Sequence, residues 1–291
     1  MPQASSLRIT PLSPTLGARI DGVDLANPLP RETIGEIRQA LLTHEVLFFE
    51  DQNLTPQQQR DFAALFGELH LHPIRPSVSG MPEVLVLDNQ GSSDTDVGAW
   101  RADVTFIETP PMACILYARD VPAEGGDTLW TSMRAAYAAL SPSLRAFLQP
   151  LDAEHDFTRS FPPDHLASRN IGIERYAWAR REYPPVAHPL VRTHPETGRE
   201  SLFVNSGFTT RILGLTKTES LKILELLSDH VQRPEFVVRW RWKPNTLAFW
   251  DNRVTQHYTV DDFQPHRRVM HRVTILGDRP FNRARLRIAA E

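Results

Sequence analysis

This sequence predicts a mainly β fold with helices packed on its outside (α+β), and three observations carry that expectation. Short apolar or alternating runs suited to strands recur along the chain, among them Val46-Leu47-Phe48-Phe49 and Val84-Leu85-Val86-Leu87. Helical spacing is confined to a few segments that open on capping or proline signals. No internal repeat, low-complexity tract or linker divides the 291 residues, so one domain spanning 1–291 is expected.

The elements follow in order. Leu7-Arg8-Ile9-Thr10 and Ala18-Arg19-Ile20 alternate like short strands, separated by Pro11, Pro14 and Gly17. Ile34, Ile37 and Leu41 recur at helical spacing after Pro30. Val46 to Phe49 is apolar throughout, as a strand buried on both faces would be. Thr55-Pro56-Gln57-Gln58 starts a helix with Thr55 as N-cap, Pro56 in the first turn and Gln58 closing a capping box; Gly67 is expected to end it. From Glu83 the chain reads as strands and loops: Val84 to Leu87, a polar loop from Asn89 to Gly98, and Met112 to Tyr117. Gly125-Gly126 turns into Thr128-Leu129-Trp130, and helical patches follow at Met133 to Leu140 and Pro142 to Leu148. Ile171 to Glu182 reads as a polar, Arg-rich helix that could cover a site. Thr216 with Glu219 forms a second capping box before Leu221, Ile223, Leu224 and Leu227. Phe236, Val238, Trp240 and Trp242 alternate with polar neighbours as in a half-buried strand.

Composition narrows the function. A hydrophobic share of 41% with 23% charged residues builds a sizeable core and argues against disorder. A net charge of -3 gives no basic excess for nucleic acid or a membrane surface, so a small-molecule partner is expected. The single cysteine, Cys114, sits in an apolar run, which excludes an internal disulfide and suggests an inert buried thiol. No apolar stretch has spanning length and no signal-peptide core opens the chain, so a soluble cytoplasmic protein is expected.

The candidate chemistry lies near the C-terminus. Trp250-Asp251-Asn252-Arg253-Val254-Thr255-Gln256-His257-Tyr258 delivers a histidine just past an apolar run, and Arg268 and Arg272 follow. In an extended segment those two arginines share a face, so one imidazole and two guanidiniums converge, which suits a metal and anionic ligands. A non-haem iron site takes two histidines and one carboxylate. Asp103 and His257 would be two of the three.

The surrounding motifs extend nearly end to end. They are Thr55-Pro56-Gln57-Gln58-Gln59-Arg60, Asp103-Val104-Thr105-Phe106-Ile107-Glu108-Thr109-Pro110-Pro111 and Gly125-Gly126-Asp127-Thr128-Leu129-Trp130-Thr131-Ser132. Phe203-Val204-Asn205, Gly207-Phe208-Thr209-Thr210-Arg211, Trp250 to Tyr258 and Met270-His271-Arg272 complete the set. With these motifs the chain resembles the taurine dioxygenase branch of the iron(II)/2-oxoglutarate-dependent dioxygenases. The resemblance implies a double-stranded β-helix, or jelly roll, with Fe(II) and with 2-oxoglutarate as co-substrate. It implies Asp103 and His257 as catalytic metal ligands, Thr128 and Arg268 on the distal carboxylate of 2-oxoglutarate, and Arg272 on an anion. His72 and the backbone around Val104 would share the substrate's sulfonate with Arg272, while Ser160, Phe161 and Phe208 would line its pocket. The reaction implied consumes O2, hydroxylates the carbon next to a sulfonate, and releases sulfite, an aldehyde, succinate and CO2. The alternatives are an alkyl sulfate dioxygenase and a metal-free homologue that only binds 2-oxoglutarate or an organic anion. A homo-oligomer, dimer or tetramer, is also implied.

Two departures stand out. Where the family has its first metal-ligand histidine this chain has Arg101, whose guanidinium has no lone pair for a metal and carries a positive charge. Three outcomes are expected to compete: an ion pair of Arg101 with Asp103 in a metal-free site, Arg101 swung out to solvent, or a substitution in an otherwise competent enzyme. Near the family's taurine-amine position the chain carries Arg75 and Val97. An arginine there repels an ammonium and favours a sulfonate or oxyanion ester other than taurine. His70 shares a face with His72 but ranks lower as a site residue; the other histidines, His155 and His188 among them, read as ordinary surface or hydrogen-bonded residues.

Overall fold

In a computed structural model, the chain is described over residues 7–73, 75–89, 98–163 and 172–288. The first half runs β1 (Arg8–Pro11), β2 (Ala18–Asp21), α1 (Arg31–His44), β3 (Val46–Phe49), α2 (Pro56–Ala64), β4 (Ser77–Val78), β5 (Met81–Asn89), β6 (Ala113–Asp120), β7 (Thr128–Ser132), α3 (Met133–Ala138) and α4 (Pro142–Leu148). It continues with β8 (Asp152–His155), α5 (Ile173–Glu182), β9 (Val186–Pro189), β10 (Val191–Thr193), β11 (Glu200–Leu202), β12 (Thr209–Ile212), α6 (Lys217–Val231), β13 (Val237–Trp240), β14 (Leu247–Asp251), β15 (Thr255–Thr259), β16 (Arg268–Ile275) and α7 (Arg283–Ile288).

An eight-stranded sheet ordered β1-β2-β3-β14-β6-β16-β5-β4 forms one wall, and a three-stranded sheet ordered β13-β7-β15 packs against it. Strand periodicity decides what each face does. Val46 and Phe48 of β3, Cys114 and Leu116 of β6, Ala248 and Trp250 of β14 and Met270 of β16 meet Trp130 and Val238 of the smaller sheet. Their neighbours Leu47, Phe49, Ala113, Ile115, Leu247, Phe249, Val273 and Ile275 point the other way, onto α1 and α2 through Ile37, Leu41, Phe62 and Ala63. The uniformly apolar β3 run is thus explained: both faces are covered, and all four residues are fully buried. This is the jelly-roll core, with helices outside.

Both capping boxes form as expected, at Thr55/Gln58 and Thr216/Glu219. Other boundaries differ from expectation. The helix begun at Pro56 ends at Ala64, before Gly67, with Leu65 still helical in backbone as its C-cap. Only Val237–Trp240 of the alternating tryptophan run is strand, because Pro234–Phe236 tightens into a 3-10 turn. The polar helix is observed from Ile173, and Ile171 lies outside the described residues. No helix among the described residues is long and apolar enough to cross a membrane.

Two strands, β15 and β16, carry the chemistry-bearing side chains of the C-terminal region. On β15 His257 stands opposite Trp130 of β7, and Thr259 stands opposite Thr128. On β16 Arg268 and Arg272 both fall on the buried phase with Met270, so they share the inner face as the alternation predicts.

Candidate active site

The cavity between the two sheets is lined by Arg75, Arg101, Asp103, Thr128, His257, Arg268 and Arg272, with His72, Val104, Ser160, Phe161 and Phe208 around them. Nearly every site residue expected from sequence therefore meets in one place. Val97 lies outside the described residues.

Asp103 is held first through its backbone. Its amide donates to Asn252 Oδ1 at 2.8 Å, and Asn252 Nδ2 returns a bond to the Asp103 carbonyl at 2.9 Å. Asn252 belongs to a turn clamped by its neighbours: Arg253 Nη2 lies 2.6 Å from Asp251 Oδ2, and His194 Nε2 lies 3.0 Å from the same oxygen. On the other side Thr105 is pinned, its hydroxyl bonded by His155 Nδ1 at 2.9 Å and Asn205 Nδ2 at 3.0 Å, its carbonyl by His188 Nε2 at 3.0 Å. Between these anchors Val104 adopts φ 54°, a left-handed conformation that is costly for a β-branched residue and that the clamps on both sides sustain. Sequence reasoning gave Asn252, His155 and His188 no such role. The one available signal was the place of Asn252 inside the Trp250 to Tyr258 motif.

The Asp103 side chain is not disposed as a plain metal ligand. Arg272 Nη1 donates to its Oδ1 at 2.8 Å, with both side chains buried. Burial alone would raise the carboxyl's pKa, but the nearby cations, Arg272 foremost and Arg101 with it, outweigh it and bring it to about 2. The carboxylate is therefore ionised and already paired. His257 Nε2 stands 3.9 Å from the same oxygen, and Trp250 packs against the ring with centroids 5.1 Å apart. Burial lowers the His257 pKa to about 4, so the imidazole is neutral at physiological pH. Its Nδ1 and Asp103 Oδ2 are buried without hydrogen-bond partners.

Arg101 faces this pair. Its backbone bridges His257 in both directions, N to O at 3.0 Å and O to N at 2.8 Å. The residue is only 9% exposed, so it has not swung out to solvent. Among the described residues the ion-pair partner of Asp103 is Arg272, which corrects the expectation that Arg101 takes that place. Gly207 makes the arrangement possible: a Cβ there would stand 3.1 Å from the Arg101 Cβ.

The opposite end of the cavity is well formed. Thr128 Oγ1 accepts from Trp242 Nε1 at 2.9 Å and from Arg268 Nη2 at 3.4 Å, while Arg268 Nε donates to the Gly126 carbonyl at 3.2 Å. Gly126 has φ 68° and lies so close that a Cβ would stand 3.1 Å from Arg268 Cδ. Along the rim, Arg75 sits over the Phe161 ring at 5.7 Å and its amide donates to His72 Nδ1 at 3.3 Å, so Arg75 turns to the cavity rather than to solvent. Ser160 is occupied by the Gly207 carbonyl at 2.6 Å. His70, ranked low from sequence, is buried and feels the charges of Arg272 and Asp103; burial takes its pKa to about 4. A larger cavity, of about 560 Å³, lies between α6 and β12, where Leu215, Leu221, Leu224 and Leu227 meet polar residues such as Arg211, Lys217 and Glu225.

Residues 8–274 match the profile of the family described as "Taurine catabolism dioxygenase TauD, TfdA family". The chain belongs to the TauD/TfdA family. It is thus an enzyme of the iron(II)/2-oxoglutarate-dependent dioxygenase class. An alpha-ketoglutarate-dependent sulfate ester dioxygenase from Pseudomonas putida is 39% identical over 284 residues, covering 96% of this chain and 92% of that protein. An alkylsulfatase from Acinetobacter baylyi is 34% identical over 275 residues, covering 94% and 86%. Among solved structures, a putative alpha-ketoglutarate-dependent taurine dioxygenase from Burkholderia xenovorans superposes with a TM-score of 0.83 at 40% identity, covering 96% of each chain.

The family's ferrous ion requires two imidazoles and a carboxylate. Here the Arg101 side chain lines the cavity with Asp103 and His257, and no group of three or more His, Cys, Asp or Glu able to hold a metal occurs among the described residues. One of the two remaining donors, Asp103, is tied to Arg272. The residues present do not fit a three-ligand ferrous centre.

Proposed function

We propose that this cavity is the receptor for 2-oxoglutarate and a sulfate ester or alkyl sulfonate, the substrate pair of an oxidative cleavage that yields succinate, CO2, an aldehyde and sulfate or sulfite. The observation that carries this reading is the gathering of Arg268, Thr128, Arg272 and His72 in one buried cavity. In it Arg268 and Thr128 hold the distal carboxylate of 2-oxoglutarate, a hydroxyl with a charge-assisted donor. Arg272 with its Nε, buried and lacking a partner, receives the sulfo group beside His72 and the Val104 backbone. Phe161 and Phe208 wall the alkyl part and exclude water.

A sulfate ester is favoured over taurine on two grounds. Arg75 at the rim repels an ammonium group and tolerates a neutral or acidic tail. The Pseudomonas putida relative, at 39% identity, is a sulfate ester dioxygenase. Asp103 and His257 are the two metal donors this chain retains, and Arg101 limits its turnover.

The test is 2-oxoglutarate-dependent succinate formation with a short alkyl sulfate, an alkyl sulfonate and taurine, run on the unmodified chain and on Arg101→His. The reading expects the variant to turn over alkyl sulfate or sulfonate in preference to taurine. A clear preference for taurine would defeat the substrate assignment, and no turnover of any of the three by the variant would defeat the reaction.

A further inference from the structure

We infer that Asn89 and Thr259 complete the receptor for the distal carboxylate of 2-oxoglutarate, each donating a hydrogen bond to it beside Arg268 and Thr128. This deepens the proposed function and rests on its placing of that carboxylate at Arg268 and Thr128.

Strand register brings the four side chains together, two from each sheet. On the large sheet Asn89 of β5 is the direct partner of Arg268 of β16. On the small sheet Thr259 of β15 is the direct partner of Thr128 of β7. Side chains opposite each other in an antiparallel pair share a face, with Cβ atoms about 5 Å apart. The contact of Arg268 Nη2 with Thr128 Oγ1, at 3.4 Å, joins the two pairs across the gap between the sheets. All four residues line the cavity. Alternation along β5 agrees with this: Leu87 and Asn89 line the cavity, while Asp88 between them turns outward to Arg267 at 2.6 Å.

The hydrogen-bonding capacity at this end is unspent. Asn89 is only 6% exposed, yet its side-chain amide makes no hydrogen bond among the described residues, and the Thr259 hydroxyl makes none either. A buried amide is seldom left so, because it has given up its bonds to water. The Thr128 oxygen accepts from Trp242 Nε1 at 2.9 Å and from Arg268 Nη2, which uses both lone pairs and leaves its one proton to donate. Arg268, held at Nε by the Gly126 carbonyl, forms no ion pair among the described residues. One guanidinium, two hydroxyls and an amide around one space suit a carboxylate, whose two oxygens accept about four hydrogen bonds. The neutral pair adds donors without adding charge, and it disfavours a ligand with an apolar tail at this end, since the amide would then stay unpaired.

Calorimetric titration with 2-oxoglutarate, on the full unmodified chain and on Arg101→His reconstituted anaerobically with Fe(II), tests the inference. Asn89→Leu, close in size and unable to hydrogen-bond, should weaken binding by about tenfold in either background, and Thr259→Val by about threefold to tenfold. Thr259→Ser, which keeps the hydroxyl, should stay within about twofold of its parent. Asn89→Asp should weaken binding more than Asn89→Leu, because its carboxylate takes up the charge of Arg268 and repels that of the ligand. The unfolding midpoint of the ligand-free chain should hold or rise in Asn89→Leu, since no internal hydrogen bond is lost. Undiminished affinity in either Asn89→Leu or Thr259→Val, or a fall in affinity accompanied by a lowered ligand-free midpoint, would overturn the inference and leave the proposed function standing. Failure of both the unmodified chain and Arg101→His to bind 2-oxoglutarate would overturn the proposed function, and this inference with it.

Discussion

The two ends of the cavity are built from the same materials and have different fates. At the Arg268 end a guanidinium meets a hydroxyl and a carbonyl, neutral acceptors that orient it and leave its charge for a ligand. At the Asp103 end a guanidinium meets a carboxylate at 2.8 Å, and a second one, Arg101, stands where a neutral donor would be needed. The first end keeps its guanidinium among neutral groups. At the second the carboxylate is neutralised internally, as a buried carboxylate requires a cation close by. The Arg101 backbone is bridged to His257, and Asp103 just after it is held by Asn252.

That comparison can be broken or sharpened by substitution. The largest effect is expected for Arg101→His, which supplies the missing imidazole on a backbone already bridged to His257. Turnover of an alkyl sulfate should rise on the order of a hundredfold or more, since even outer-shell partners of metal ligands change activity by about 10- to 100-fold. Next is Arg268→Ala, which removes the charge from the well-formed end. Affinity for 2-oxoglutarate should fall by about tenfold to a hundredfold in the unmodified chain and in Arg101→His alike, the loss of one charge-assisted contact worth about 1.5–3 kcal/mol.

A smaller effect, on stability rather than binding, is expected for Asn252→Ala. It leaves the buried Asp103 amide and carbonyl without their partners and should cost about 1–3 kcal/mol, read as a lower denaturation midpoint. An unchanged midpoint would mean that the Asp103 loop is held by the Thr105 side alone.

The smallest effect concerns that Thr105 side. Burial lowers the pKa of His188 to about 4, from an ordinary value of 6.5. Between those values the unfolded chain binds the proton first, so this contribution to stability is complete above about pH 6.5 and declines as pH falls toward 4. Unfolding midpoints measured from pH 7 to 5 should drop on acidification, and the drop should be shallower in His188→Gln.

Much of the frame was legible in the sequence because it is local. Capping boxes are written within four residues, and the period-two alternation that puts Arg268 and Arg272 on one face lies within one strand. The site's composition was legible through its motifs. What escaped was pairing over long separations. Asp103 and Arg272 are 169 residues apart, and Asp103 and Asn252 are 149 apart. Local pattern does not specify which arginine reaches a carboxylate when two are within range. The positive φ of Val104 was equally hidden, since valine disfavours it and only the surrounding hydrogen bonds impose it. Likewise His155 and His188 looked ordinary because their partners, Thr105 among them, come from a distant part of the chain.

The central claim is that Arg101 closes the ferrous site while leaving the anion receptor intact. It is tested most directly by iron content per chain after anaerobic reconstitution with Fe(II) and 2-oxoglutarate, comparing the unmodified protein with Arg101→His. The account predicts clearly sub-stoichiometric iron in the unmodified chain and close to one iron per chain in the variant. Stoichiometric, tightly held iron in the unmodified chain would contradict it.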